Sequence, residues 1–559
     1  MPHAVSMPSP GVQALILCGP GSSFPTFTSN PDENPKALLP IANRPMVWYP
    51  IDFCYRAGIT NITLICPPSA EEAITTGLNT DIFLTALPLP RPDILAPKDL
   101  DFNMGTAEIL RLPEVKELVT SDFVVLPCDL VCEVGGETLL QAWQVRCASL
   151  IEAVGANKFS NDELARCSGG LGVWYDAKAN TPIKKEETDF IATAPLPSPA
   201  ATPPKDSLFS GVSKLVYSTP TDSLKDSMEE RGGLSLRHGL LRANPQVRML
   251  TTHRDAHIYI FPQWVMEFVK RNERMESISE DVVGWWAKAG WQAGLAEKLH
   301  IKEVCSPSQN DEGSLSSPTS ESSPGLPSSG QQSNGLIEPT TNMALDLIGE
   351  KAAETEVPSI LAYVHSGAKQ ATGSLIRRVD TAQLLLAISL QLAKLPSLEE
   401  TGPDSPSPYA HSRKVAYPEG VKSRTTITKQ DCLIGENVTV EEKVAIKESV
   451  VGIGCQIDEG AKISQCLLME GVKVGKNCKL TKCILGKRCV IGDGSVLTDC
   501  EVQENLLVEP RSESPLELPE DKDNKLMSSE GLEATEAEME EVLQEQEDAE
   551  ATTGEAMAE

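Results

Sequence analysis

No run of apolar residues in this chain approaches the roughly 20 needed to cross a bilayer, which argues against a membrane-spanning helix. Met1–Pro10 lacks the basic and apolar regions of a secretory signal. No two cysteines are spaced as CxxC, the tight pairing that structural zinc sites use. The fifteen cysteines are odd in number and scattered, which fits reduced thiols of the cytosol rather than a disulfide framework. Basic charge is scarce: 49 Lys and Arg stand against 79 Asp and Glu, a net charge of -30. Such a chain is poorly suited to nucleic acid, whose binding rests on neutralising phosphates. Half of that excess is local. From Ser512 to Glu559 there are 17 acidic and 2 basic residues, and no aromatic. That composition predicts a disordered acidic tail, either solvating or a docking site for a basic partner.

What is present is a strict repeat. Steps of 6, 6 and 5 residues from Ile434 reach Val440, Ile446, Val451, Ile457, Ile463 and Leu468, then Val474, Leu480, Leu485, Ile491, Leu497 and Val502. All are Ile, Leu or Val. A period of 17 with one aliphatic side chain per face predicts a parallel β-helix of stacked three-sided coils. Ordinary sheets alternate with period 2 and have irregular turns. Gly435, Gly452 and Gly486 follow the inward residue on one face, and Gly475 and Gly492 on another. Gly460, Asn477 and Gly494 form a further row suited to positive φ at a corner. Cys432, Ser449, Cys466, Cys483 and Cys500 share the same spacing and read as small side chains stacked in one corner, with no metal expected. No histidine follows His411, so the coil lacks the general base that hexapeptide-repeat acyltransferases use. Binding or assembly is the expected role, because flat coil faces and open ends need cover.

At 559 residues the chain has room for two to four domains. Val12–Cys18 is an apolar run that predicts a buried parallel strand, and it feeds the loop Gly19-Pro20-Gly21-Ser22-Ser23. Such a loop can offer backbone N–H groups to phosphate. Pro35-Lys36-Ala37-Leu38-Leu39-Pro40 and Asn43-Arg44-Pro45-Met46 follow, then Met104-Gly105-Thr106-Ala107 and Val124-Val125-Leu126-Pro127-Cys128-Asp129. Arg254–Phe261 reads as a buried strand, Trp264–Lys270 and Ile278–Trp291 as helices, and Leu361–His365 as a returning strand. Ala382–Leu395 reads as a helix capped by Asp380 or Thr381. His253 and His257 are the one close histidine pair; without a third ligand they do not predict a metal site.

These segments resemble the sugar-nucleotide pyrophosphorylases, a nucleotidyltransferase family with the motif GGxGTRLxPLTxxxPKxLLPVxNKPM. The resemblance implies an α/β nucleotidyltransferase-like (Rossmann-like) domain. It also implies a nucleotide pocket built from Gly19, Gly21, Lys36, Gly105, Thr106 and Asp129, with Asp129 the position that holds Mg²⁺ in the enzymes. The loop departs from the motif: it is one residue short, carries Pro20, and has no arginine before Lys36. A bidentate guanidinium on a transferring phosphoryl group is hard to replace. Lys184 and Lys185 stand in a changed context where the family has a lysine for the sugar phosphate. The pocket is therefore expected to be vestigial, with no catalytic residue and no cofactor.

With the hexapeptide coil included, the layout resembles the nucleotidyltransferase-like subunits of eukaryotic translation initiation factor 2B. Asp189-Phe190-Ile191, Asp255-Ala256-His257-Ile258-Tyr259 and Arg378-Val379-Asp380-Thr381 add to that resemblance. The epsilon subunit of that factor carries a further helical-repeat exchange domain. The acidic stretch after Val508 is not such a domain, which points to the sister subunit without one. The resemblance implies a regulatory, non-catalytic role in guanine-nucleotide exchange in the cytosol. The implied partners are epsilon directly, then the alpha, beta and delta subunits, with initiation factor two as substrate. The alternatives are an active pyrophosphorylase, most like the mannose-1-phosphate guanylyltransferases, or a regulatory subunit of one. The expected organisation is a nucleotidyltransferase-like domain over 11–302 with an inserted loop at about 192–206, and a disordered Ser/Pro-rich linker over 303–357. Elements over 358–400 return to the first domain, followed by a left-handed parallel β-helix over 420–508 and a disordered acidic tail over 509–559.

Overall fold

The computed structural model describes residues 10–101, 103–153, 168–178, 186–196, 207–234, 236–305, 357–365, 374–402, 407–510 and 525–526. Most of the linker and tail, and Lys184 and Lys185, lie outside these residues. The N-terminal domain is built on a nine-stranded sheet. In spatial order its strands are Asp93–Leu95, Ile62–Ile65, Gln13–Leu17, Phe123–Pro127, Arg248–Phe261, Leu171–Asp176, Leu361–His365, Val212–Pro220 and Asp189–Ala194. The first four run parallel. Ile62–Ile65, Gln13–Leu17 and Phe123–Pro127 are near-continuous apolar runs buried on both faces, whereas Asp93–Leu95 forms the partly exposed edge. Arg248–Phe261 runs antiparallel to its neighbours, and its register shifts between Asp255 and Tyr259. There His257 takes φ +52°, a β-bulge that re-aims its side chain. Ala192–Ala194 belong to a strand, so the stretch expected as a loop from about 192 begins in the sheet. Pairing with the strands Val212–Pro220 and Arg248–Phe261, rather than local Pro and Thr content, decides their conformation.

After the linker the chain re-enters this domain. Leu361–His365 joins the sheet, and Ile376–Arg378 pairs antiparallel with Leu130–Cys132. The helix Ala382–Ala393 starts at Thr381, whose hydroxyl accepts from the Leu384 N–H.

The coil consists of three parallel stacks. The inward row pairs Ile434, Val451, Leu468, Leu485 and Val502 in register, and the other two faces do the same. Every residue of the 6-6-5 series is at most 5% exposed. All three corners turn through a left-handed residue. One corner uses Lys443, Gly460, Asn477 and Gly494; another uses Glu448, Gln465, Lys482 and Asp499, with no glycine at all. The coil extends beyond the expected bounds at both ends. Val415 and Val421 bridge to Ile434 and Val440, and Lys525–Leu526 adds a strand beside Glu501–Val502. The second extension corrects the view of 509–559 as wholly tail: the last coil has unpaired backbone groups that a returning strand satisfies. Cys432, Ser449, Cys466 and Cys483 are buried in one stack, with Ser449 Oγ accepting from the Cys466 N–H at 3.1 Å.

Gly452 has an ordinary backbone conformation, but a Cβ there would lie 2.7 Å from the Met469 carbonyl group in the next coil. Gly452→Ala is therefore expected to destabilise the coil by about 1–3 kcal/mol through overpacking. A denaturation midpoint unchanged in that variant would contradict the close stacking.

One outer face of the coil is not solvated. Leu433, Val450, Leu467 and Ile484 are a second 17-spaced row, at most 3% exposed, in the same core as Ile41, Leu385, Ile388 and Leu392. Each such burial contributes on the order of 1.5–3 kcal/mol. Asn43 Nδ2 donates to the Val451 carbonyl at 2.9 Å across this junction. Where the row reaches Glu501 the contact turns polar: Thr26 donates to Glu501 at 3.2 Å, Gln503 donates to Ser29 at 3.1 Å, and Arg488 pairs with Glu33 at 3.0 Å. The coil thus packs against the α/β domain and its glycine loop.

Candidate functional site

A cleft of about 190 Å³ opens at the carboxyl ends of the parallel strands, the usual ligand position in an open α/β sheet. Gly19, Lys36, Thr106 and Asp129 line it together with Cys18, His257 and Arg378. Strand ends deliver Cys18 and Asp129, the 3₁₀ turn after Pro35 delivers Lys36, and the bulge delivers His257. Arg378 arrives from the edge strand that follows the linker.

Asp129 is the centre of the cleft and is paired there with two cations. Its Oδ2 lies 2.8 Å from Lys36 Nζ, and its Oδ1 lies 3.4 Å from Arg378 Nε. Its backbone carbonyl accepts from the Val379 N–H at 2.8 Å. Burial alone would raise the carboxyl, but Lys36 and Arg378 outweigh it and hold Asp129 well below the usual carboxylate range. Burial, together with Arg378, pushes His257 well below its ordinary value, so the ring is neutral. Lys36 and Arg378 therefore lie where a cation would otherwise meet the Asp129 carboxylate. The cleft volume also falls below the roughly 300–1,000 Å³ typical of ligand pockets.

Two expected pocket residues point elsewhere. Gly21, at φ +91°, packs against Thr28, whose hydroxyl donates to the Gly21 carbonyl at 2.9 Å. Gly105 starts a helix, and a Cβ there would lie 2.3 Å from the Glu276 carbonyl oxygen. Thr106 Oγ1 accepts from the Ile278 N–H at 2.9 Å. The Gly-Thr-Ala segment therefore anchors 276–278, and its glycine admits the close approach of the Glu276 backbone. Arg378 and His257 were outside the expected pocket. Arg378 lies 249 residues from Asp129, so nothing local in sequence signals the contact.

Beside the cleft lies a buried ionic network. Arg254 donates to Asp380 at 3.3 Å and lies 3.7 Å from Glu186, which is 3.5 Å from Arg377. Asp189 accepts from the Asp255 N–H at 2.6 Å, and Tyr259 donates its hydroxyl to Asp255. Burial raises Asp189 to about 6. Burial, with the Asp189 charge beside it, raises Asp255 to about 7. Unfolded aspartates ionise near 4, so across the window from about 4 to about 7 the folded state holds the extra protons. Stability from this pair is full below about 4 and is lost as pH rises through about 7. Asp255→Asn is expected to flatten that decline. Urea midpoints measured from pH 5 to 8 check it, and an unchanged slope in the variant would contradict the assignment.

Among the described residues no cluster of three or more His, Cys, Asp or Glu is arranged to hold a metal ion, and no helix is long and apolar enough to cross a membrane.

Fold and cleft together define a class: an α/β domain joined to a left-handed parallel β-helix. Comparison with known proteins narrows it. A family model described as the EIF2B subunit epsilon LbH domain matches residues 414–513. The chain is 28% identical over 298 residues to translation initiation factor eIF2B subunit gamma of Schizosaccharomyces pombe, covering 53% of this chain and 56% of that protein. It is 21% identical over 273 residues to the gamma subunit of Caenorhabditis elegans, covering 49% and 57%. The epsilon subunit of S. pombe matches at 28% over 127 residues, 23% of this chain and 18% of that protein. The chain thus spans about half the length of the curated relatives it matches, and its resemblance is to the gamma subunit of eIF2B.

Proposed function

We propose that this chain is a regulatory and scaffolding subunit of the eIF2B guanine-nucleotide exchange factor, of the gamma type. It pairs directly with epsilon, joins the alpha, beta and delta subunits in the cytosol, and has initiation factor two as the substrate of the assembly. The observation that supports the non-catalytic part is the pairing of Asp129 with Lys36 and Arg378. An exchange factor acts by binding the nucleotide-free state of its substrate more tightly than the GDP state, a differential affinity that requires surfaces rather than covalent chemistry. The stacked coil and its junction with the α/β domain supply a rigid body for such surfaces.

Lys36 and Asp129 retain the residue types of a pyrophosphorylase, so the enzymatic reading has a direct test. The chain is incubated with GTP, mannose 1-phosphate and Mg²⁺, and pyrophosphate release is followed. The expected rate equals that of the protein-free control. Sustained turnover that scales with protein would overturn the non-catalytic reading.

A further inference from the structure

The strongest departure from the chain's acidic character lies far from the cleft. The 24 residues from Arg231 to Arg254 contain five arginines and no Asp or Glu. Arg231, Arg237, Arg242 and Arg248 are exposed, and none has a carboxylate within 4 Å among the described residues. The same segment is unusually apolar on its surface. Of thirteen exposed large apolar side chains among the described residues, five fall between Met228 and Met249. Leu236, Leu241 and Met249 are 36–45% exposed.

Arg248 and Met249 lie at the far end of the sheet, adjacent on one strand and so on opposite sides of it. Met249 pairs with Ala192 on the last strand. The helix His238–Ala243 is pinned by Leu240, which packs in a small core with Ala192, Val216 and Trp291. The Trp291 indole donates to the Val216 carbonyl at 2.7 Å. Trp285 is exposed as well, and Lys288 stands 4.7 Å from its ring and 4.8 Å from that of Tyr217. Burial and the Arg237 charge lower Lys288 from its ordinary value, against the opposing charge of Asp281. The neighbouring helix Thr221–Arg231 buries no residue. Its acids (Asp222, Asp226, Glu229 and Glu230) flank the patch without pairing with the four arginines within 4 Å.

Cations interleaved with exposed leucines call for a partner with the opposite pattern, and the chain contains one. Residues 530–559 carry twelve carboxylates and no Lys or Arg. Met539, Val542 and Leu543 are spaced to share one face of a helix. We propose that the arginine-rich apolar surface of 234–249 and Trp285 is a docking site for this acidic segment of the chain. Reach does not forbid it. Met539 lies 13 residues beyond Leu526, a span of up to about 45 Å when extended; nine strands spaced ~4.8 Å apart are about 40 Å wide. The attraction is part electrostatic and part apolar, so salt weakens it without abolishing its specificity. This proposal does not rest on the functional reading above.

A chain ending at residue 529 is titrated against a fluorescein-labelled peptide of residues 530–550, with anisotropy as readout. Saturable binding is expected, weakening at least about tenfold between 50 and 300 mM NaCl, as contacts among several charges do. The R237E/R242E/R248E variant is expected to bind at least about tenfold more weakly, as is L236A/L241A; all these side chains are exposed, so folding is preserved. The full-length chain is expected to bind the peptide more weakly than the chain ending at 529, because its own segment competes. Absence of saturable binding, or equal affinity for the charge-reversed variant, would overturn the proposal.

Discussion

Replacing Asp129 with alanine is expected to destabilise the α/β domain by about 3–5 kcal/mol, the loss typical when one partner of a buried ion pair is removed. Asp129 is 1% exposed and balances two cations, Lys36 and Arg378. Without it, Lys36 loses its carboxylate partner while largely buried, and Arg378 keeps only the more distant Asp380 at 3.9 Å. Removing the charges together is expected to be milder. Lys36→Met combined with Asp129→Leu replaces the closest pair with apolar groups of similar volume, a change that is often near neutral. The decisive comparison is therefore the double variant against the two single ones, read as the denaturant midpoint of the α/β domain. If Asp129→Ala shifts that midpoint by less than about 1 kcal/mol in equivalent energy, Asp129 is a surface-like group and its pairing with Lys36 and Arg378 does not support the non-catalytic reading.

Leu467→Asp is expected to have an effect of comparable size by a different route. Leu467 is fully buried between the coil and the helix Ala382–Ala393. A carboxylate there has no partner, and burying it without one costs several kcal/mol. The side chain points out of the coil, so the inward stack of Leu468 is untouched. The coil is expected to stay folded while its junction with the α/β domain opens. Hydrogen exchange reports this directly: protection in 462–485 is retained, while protection in 382–393 falls. Loss of protection throughout the coil would show instead that the junction and the coil form a single cooperative unit.

The coil was legible because each inward residue obeys one short period, and stacking permits no drift. Its second apolar row, Leu433, Val450, Leu467 and Ile484, has the same period and precedes the inward row by one residue. Two adjacent apolar positions per strand are the sequence mark of a face covered on the outside, and that mark predicts where the α/β domain sits. The corner of Glu448, Gln465, Lys482 and Asp499 was not legible, since its left-handed backbone is imposed by stacking rather than by glycine. In the cleft, Lys36 and Asp129 were readable from local motifs. Arg378 was not, because a long linker separates it from its partner and only tertiary pairing of 376–378 with 130–132 brings it in. Gly105 is expected in the nucleotide pocket because the motif cannot distinguish a glycine that admits a ligand from one that admits the Glu276 backbone.

The central claim, that this chain works as one subunit of an exchange factor rather than as a free-standing enzyme, is tested most directly by the mass and composition of its native complex. The tagged chain is purified at its natural expression level and the particle is weighed intact. The account predicts a hetero-oligomer containing epsilon, alpha, beta and delta subunits, with initiation factor two bound more weakly. A lone chain or a homo-oligomer, with no epsilon subunit in it, would contradict it.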